Sequence, residues 1–182
     1  MPATKIPSSL MKIFLKKEIG NSKRVLDIGC GDGILALYLI SSLNCRIDGI
    51  DIESGNVHRA NDKFKKKTKK GLALCRLCSA DSIDRKFKKN SFDVVLIIHT
   101  FHHLIDLNDI LRKIRLILRQ NGKLIISEYH RDYGEKIDNC PRFSIKKIKS
   151  MIKTAGFSTA KNHNLSKNLV MITATKFRGV KP

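Results

Sequence analysis

The chain has 182 residues, 42% of them hydrophobic, and sets 36 lysines and arginines against 16 acids for a formal net charge of +20. That length suits one domain with a continuous core and is short for two. No apolar run approaches the roughly 18 residues of a membrane span, so a soluble chain with no membrane role is expected. Lys5, Lys12, Lys16 and Lys17 interrupt the apolar run that a secretion signal needs. Five cysteines, an odd number, fit reduced thiols in the cytoplasm better than a disulfide framework. The charge points to a polyanion such as RNA or to an acidic substrate, while a lysine-rich composition spread over exposed positions yields the same total.

Residues 1–22 form a basic segment in which Leu10, Ile13, Phe14 and Lys17, after Ser8 and Ser9, suggest a short amphipathic helix, a candidate lid or edge helix. Val25–Ile28 reads as the first strand and runs into a loop with Gly29, Gly31 and Gly33, ahead of a helix over Ile34–Ile40. Arg46–Asp51 is the second strand. Val57, Ala60 and Phe64 recur at helical spacing until Gly71. Leu72–Leu77 is the third strand, and Phe92–Ile98, continuous and β-branched, is the fourth, with both faces buried. Leu104, Leu107, Ile110, Leu111, Ile114 and Ile117 trace one helix face, which Asn121-Gly122 ends before a strand over Lys123–Ser127. Ser144 caps a last helix with a stripe of Ile145, Ile148, Met151, Ile152 and Ala155, stopped by Gly156. Strand candidates at Phe157–Ala160 and Leu169–Thr175 bring the total to seven. The alternation predicts an α/β fold with a mostly parallel, doubly wound sheet and helices on both faces.

Glycine lets the backbone turn sharply and approach a ligand closely, so the strand–loop–helix at residues 25–40 is the strongest site signal. A nicotinamide fingerprint, G-x-G-x-x-G, would place its third glycine at position 34, where Ile34 stands. The string Asp27-Ile-Gly-Cys-Gly-Asp-Gly33 instead resembles motif I of the class I methyltransferases that use S-adenosyl-L-methionine (SAM). Phe92–Leu104 is similar to the fourth-motif region of the small "type 11" members of that family. The resemblance spans residues 23–177, leaving 178–182 as a tail. It implies a Rossmann-like methyltransferase fold whose last strand is antiparallel, SAM as cofactor, and a methyltransferase activity.

In an open doubly wound sheet, ligands bind outside the carboxyl ends of the strands. Asp27, Asp51, Asp81 and Glu128 fall there by the predicted elements. Asp51 can accept from both hydroxyls of a ribose or cap the helix that starts near Ser54. Ile52 offers an apolar surface to an adenine face or serves as plain packing. The resemblance implies that Asp27 and the loop Gly29, Cys30, Gly31 and Gly33 hold the methionine part, Asp51 the ribose, and Asp81 with Ser82 the adenine. Read alone, the Ser/Asp cluster at 79–82 caps a helix equally well.

His99 stands at the tip of the fourth strand, where it would line the methyl path and count among the cofactor contacts. His102 and His103 follow and start the next helix. The H-x-x-H-H run lacks the companion ligands and spacing of a zinc site, and no metal is expected. Catalytic residues are not assigned, since methyl transfer needs alignment more than acid–base chemistry. His99 and His103 are candidates, with Glu128, Tyr129 and His130 near the rim. Cys75 and Cys78 form a C-x-x-C whose odd spacing on a strand points the thiols to opposite faces, as core residues. Cys30 is compact and lies beside the cofactor.

The lysine runs at 63–70 and 86–89 fall at the amino ends of the strands, away from the crevice, while 5–24 and 130–142 reach the rim. A small-molecule acceptor is therefore expected. An RNA methyltransferase, a non-catalytic SAM-binding subunit and a nicotinamide oxidoreductase remain alternatives. With no long insertion to build a substrate pocket, either the pocket is small or a protein partner completes it.

Overall fold

A computed structural model describes residues 9–130, 142–158 and 160–177. Two compact units divide the chain, Met1–Ser79 and Ala80–Pro182.

The first unit opens with helix α1 (Ser9–Ile19) and then alternates strand and helix: β1 (Arg24–Ile28), α2 (Ile34–Ser42), β2 (Arg46–Asp51), α3 (Ser54–Lys67) and β3 (Ala73–Leu77). The strands pair in parallel as β1–β2–β3, with Asp27 beside Gly49 and Gly49 beside Cys75. Val25, Leu26, Ile47 and Ile50 are buried, as strands between helical layers require. The helix in α1 was legible but its face was not. Met11, Leu15 and Ile19 form the buried stripe, whereas Leu10 and Ile13 face outward. The i, i+4 spacing of those three residues is the better helical register. On the first unit's sheet Asp48 is buried under Arg24, Arg46 and Arg76 from three neighbouring strands, with Arg76 Nη1 at 2.6 Å. A buried carboxylate of this kind is tolerated because it is paired.

The second unit begins with a 3₁₀ turn at Ala80–Ser82 and a single-turn helix α4 (Ile83–Lys86). Then follow β4 (Phe92–Ile98), a 3₁₀ turn at Phe101–His103, α5 (Leu107–Ile117), β5 (Leu118–Tyr129), α6 (Ile145–Thr154), β6 (Lys161–Asn164) and β7 (Leu169–Thr175). β4 and β5 are parallel, and β7 lies antiparallel to both β5 and β6. The last strand is antiparallel, as expected.

Three departures from the sequence reading exceed a shift of an element's end by a few residues. Leu104 lies outside α5, because Asp106, in the left-handed region at φ 50°, caps the helix by accepting from the Asp109 N–H. The Asn121-Gly122 pair does not end a helix but sits within β5, where Phe92 pairs with Leu118 and Val94 with Lys123. The extra residues bulge there, with Asn121 at φ 62°. Strand β6 is the polar run Lys161–Asn164, and the apolar Phe157 is a buried residue ahead of it. Ser144 caps α6 as expected, accepting from the Lys147 N–H.

Candidate functional site

In the first unit the glycine loop leaves β1 with Gly29, Gly31 and Gly33 at φ 75°, 53° and 78°, a conformation that side-chain-bearing residues resist. A Cβ at Gly33 would come within 2.7 Å of the Phe64 ring on α3, so the loop is packed as well as turned. The Gly29 and Cys30 N–H groups both donate to the Ile50 carbonyl, at 2.8 and 3.0 Å. Gly33 N–H donates to the Cys30 carbonyl, and Gly31 N–H donates to Asp51 Oδ2 at 2.9 Å. The N–H groups of Gly29, Cys30, Gly31 and Gly33 are thus all satisfied within the protein.

Asp51 is 8% exposed, and its other oxygen, Oδ1, accepts from the Glu53 N–H at 2.9 Å and Asn56 Nδ2 at 3.2 Å. Three of roughly four acceptor positions are filled, which leaves room for one further donor. The carboxylate therefore fastens the loop to the start of α3. Asp27 is buried at the end of β1. Burial, and then the charge of Asp51, lift its carboxyl from 3.8 to about 7. Asp32 ties the loop to α3 through Lys63 Nζ at 2.5 Å. Ile52 is 68% exposed, so it is not a packing residue within this unit.

The sequence reading placed Cys30 beside the cofactor and Cys75 in the core, with no link between them. Their sulfurs lie 2.8 Å apart. The Cys75 thiol, then burial, then the charges of Asp27 and Asp51 push the Cys30 thiol far above the usual range. Only the register across β2 reveals the pair, since 45 residues separate the two positions.

In the second unit Asp81 is exposed on its 3₁₀ turn and accepts from Ser82 Oγ at 3.0 Å. Ser82 stands at the N-cap position of α4 without a side-chain cap bond. His99, directly after β4, adopts φ 54°, a strained value for a side-chain-bearing residue. Its N–H donates to the Ser127 carbonyl and its ring stacks on Tyr129, centroids 5.1 Å apart. Its buried Nδ1 has no partner among the described residues. Burial pulls its pKa down, aided by His102 and Arg142 and opposed by Glu128, so the imidazole is neutral. His103 is exposed, with its pKa lowered by slight burial and then by His102.

His102, expected only to start a helix, is instead the histidine most firmly placed. Its Nδ1 lies 2.7 Å from Glu128 Oε2. Glu128 is fully buried and also accepts from the backbone N–H groups of His102 and Tyr129 and from Arg142 Nη1 at 3.3 Å. Four donors occupy its two oxygens, so Glu128 orients its neighbours. Glu128 Oε2 and Arg142 Nη1, the latter at 3.0 Å, hold the His102 ring by that same nitrogen, Nδ1. The chain could have shown Glu128 as a strand-end acid but not its tie to a histidine 26 residues earlier. His130 is buried, with its N–H donating to Asn168, so it is backbone-anchored.

The family profile described as "Methyltransferase domain" matches residues 26–126, from β1 through most of β5. The chain belongs to the methyltransferase domain family. It is similar to 27-O-demethylrifamycin SV methyltransferase of Amycolatopsis mediterranei, 31% identical over 106 residues that cover 58% of this chain and 38% of that protein. It is also similar to the ubiquinone biosynthesis O-methyltransferase of Bradyrhizobium diazoefficiens, 30% identical over 110 residues, 60% of this chain and 41% of that one. The chain spans 38–61% of the length of the first three curated relatives. Among solved structures, phosphoethanolamine N-methyltransferase 2 of Haemonchus contortus, in complex with phosphomonomethylethanolamine and S-adenosylhomocysteine, superposes with a TM-score of 0.80. That match is at 18% identity and covers 92% of this chain and 52% of that one. It shows the fold: the doubly wound, seven-stranded, Rossmann-like methyltransferase sheet. The [4+2]-cyclase SpnF shares that fold at TM-score 0.80, 16% identity and 92% coverage of this chain, 80% of its own, so the fold by itself does not name a reaction.

Proposed function

We propose that this protein transfers a methyl group from SAM to a heteroatom of a small-molecule acceptor. The observation that carries the reading is the buried Asp27, lifted to about 7 by burial and the negative Asp51. Such a pair is relieved by a cationic ligand and made worse by an anionic one. SAM brings a sulfonium and an ammonium, whereas the pyrophosphate of a nicotinamide dinucleotide would add negative charge beside two carboxylates. The inward-turned loop N–H groups argue the same way, because a pyrophosphate site needs them free.

Asp27 and the loop Gly29–Gly33 would hold the methionine part. Asp51 would accept one ribose hydroxyl, and the exposed Ile52 would cover the adenine. Asp81 and Ser82 would take the adenine amino edge, and His99 would line the methyl path. SAM supplies an electrophilic methyl on a positively charged sulfur, so the acceptor needs a lone pair and, when it is a hydroxyl, a proton acceptor. His99, whose pKa is lowered by burial, and His102, held by Glu128, are the side chains suited to accept it. The relatives named above act, by their names, on small molecules, and that supports the acceptor class. Incubating the protein and methyl-labelled SAM with a cell extract tests the reading. Label is expected in the small-molecule fraction, and label in RNA that nuclease removes would overturn it.

A further inference from the structure

β2 carries Gly49 at a buried position between Asp27 on β1 and Cys75 on β3, where a glycine weakens a strand. The space it leaves is filled by sulfur. A Cβ at Gly49 would lie 2.7 Å from Cys30 Sγ and 3.5 Å from Cys75 Sγ. The two thiols meet in that notch at 2.8 Å, both buried, with Cys30 in the middle of the glycine loop and Cys75 on β3. The sulfurs need approach by less than about 1 Å to reach bonding distance.

We propose that Cys30 and Cys75 are a latent disulfide that couples the glycine loop to oxidant. A hydroperoxide oxidises one thiol to a sulfenic acid and leaves as the alcohol, or as water when the oxidant is hydrogen peroxide. The second thiol then attacks the sulfenic sulfur, forming the S–S bond and expelling water. The two electrons pass from the sulfurs to the peroxide oxygen, so two thiols and one hydroperoxide yield one disulfide, one alcohol and one water. Because Cys30 is held protonated, the reaction is slow compared with that of an exposed thiolate and needs the loop to open. Once formed, the bond draws the Gly29–Gly33 backbone toward β3 and alters the surface that this loop presents. The consequence for cofactor rests on the function proposed above, while the crosslink itself does not.

The full chain is treated with hydrogen peroxide, its remaining thiols are alkylated, and the peptides are mapped. A single Cys30–Cys75 linkage is expected, absent in Cys30→Ser and in Cys75→Ser and retained in Cys45→Ala. Calorimetry with S-adenosylhomocysteine should show affinity falling at least tenfold on oxidation and returning with dithiothreitol. Alkylation of both Cys30 and Cys75 after oxidant, or linkage to other cysteines in wild type, overturns the proposal without reference to any variant's folding. A mapped linkage with unchanged affinity overturns the coupling to the loop. Reduced protein that binds no S-adenosylhomocysteine yet forms the linkage refutes the cofactor reading and leaves the crosslink standing.

Discussion

Asp27→Asn should stabilise the ligand-free protein while removing its cofactor affinity, because the wild-type carboxylate is held in a place that penalises its charge. In the folded protein Asp27 titrates at about 7, against 3.8 for an unperturbed carboxyl, for reasons of burial and then of Asp51. Between those two values the unfolded chain binds fewer protons than the folded one, so stability falls as pH rises. The contribution is fully present below the unfolded pKa and is lost once pH passes about 7. A shift of about three units corresponds to roughly 4 kcal/mol, an upper figure for a buried group coupled to a neighbour. Asparagine keeps the shape and drops the charge, so at pH 8 the variant should gain about 2–4 kcal/mol. At pH 4 the two proteins should differ little. Urea unfolding of both proteins at pH 4, 6 and 8 reads this directly as a wild-type-minus-variant difference that grows with pH. A variant equally stable or less stable than wild type at pH 8 would refute the electrostatic account of Asp27.

Gly33→Ala should cost about 2–4 kcal/mol in the same assay, since it combines a left-handed backbone with a contact to Phe64 that must yield. An unchanged midpoint would mean the loop is not held as described. Glu128→Gln should lower stability by about 3 kcal/mol, because it leaves Arg142 and His102 beside a neutral amide in a buried setting. A loss under 1 kcal/mol would show the cluster to be solvated. In His99→Gly, relief of about 1–2 kcal/mol of backbone strain should offset a lost stacking contact of about 0.5–1.5 kcal/mol. Stability should then hold while methyl transfer drops on the order of tenfold or more. Unchanged transfer would take His99 off the methyl path.

Much of the first unit was legible because its signals are local. β2 was read with its bounds intact and the glycine loop announced its own backbone, and in the second unit the continuous apolar run of β4 did the same. The errors cluster where tertiary structure outweighs local pattern. Leu104 matched the apolar period of α5, yet a left-handed Asp106 restarts the helix two residues later. Asn121-Gly122 looks like a stop signal wherever it stands, and here the β5 bulge absorbs it. Polar Lys161–Asn164 becomes a strand by pairing with β7 and has no alternating pattern to betray it. In the candidate site the strand-end acids were visible, but their partners were not. Cys30 with Cys75, and His102 with Glu128, are pairs made by register and by chain return. His102 was underrated because spacing along a loop carries no hint of a carboxylate arriving from the next strand.

The central claim is that the loop and carboxylates of the first unit serve a cationic, SAM-type cofactor, and calorimetric titration with SAM tests it most directly. The account predicts one molecule bound per chain at pH 8 and weaker binding below pH 7, where Asp27 gains a proton. It also predicts a loss of about 1–3 kcal/mol of affinity in Asp51→Ala. A folded protein that takes up no SAM, or one that binds with the same affinity after loss of Asp51 and at pH 5.5, would contradict it.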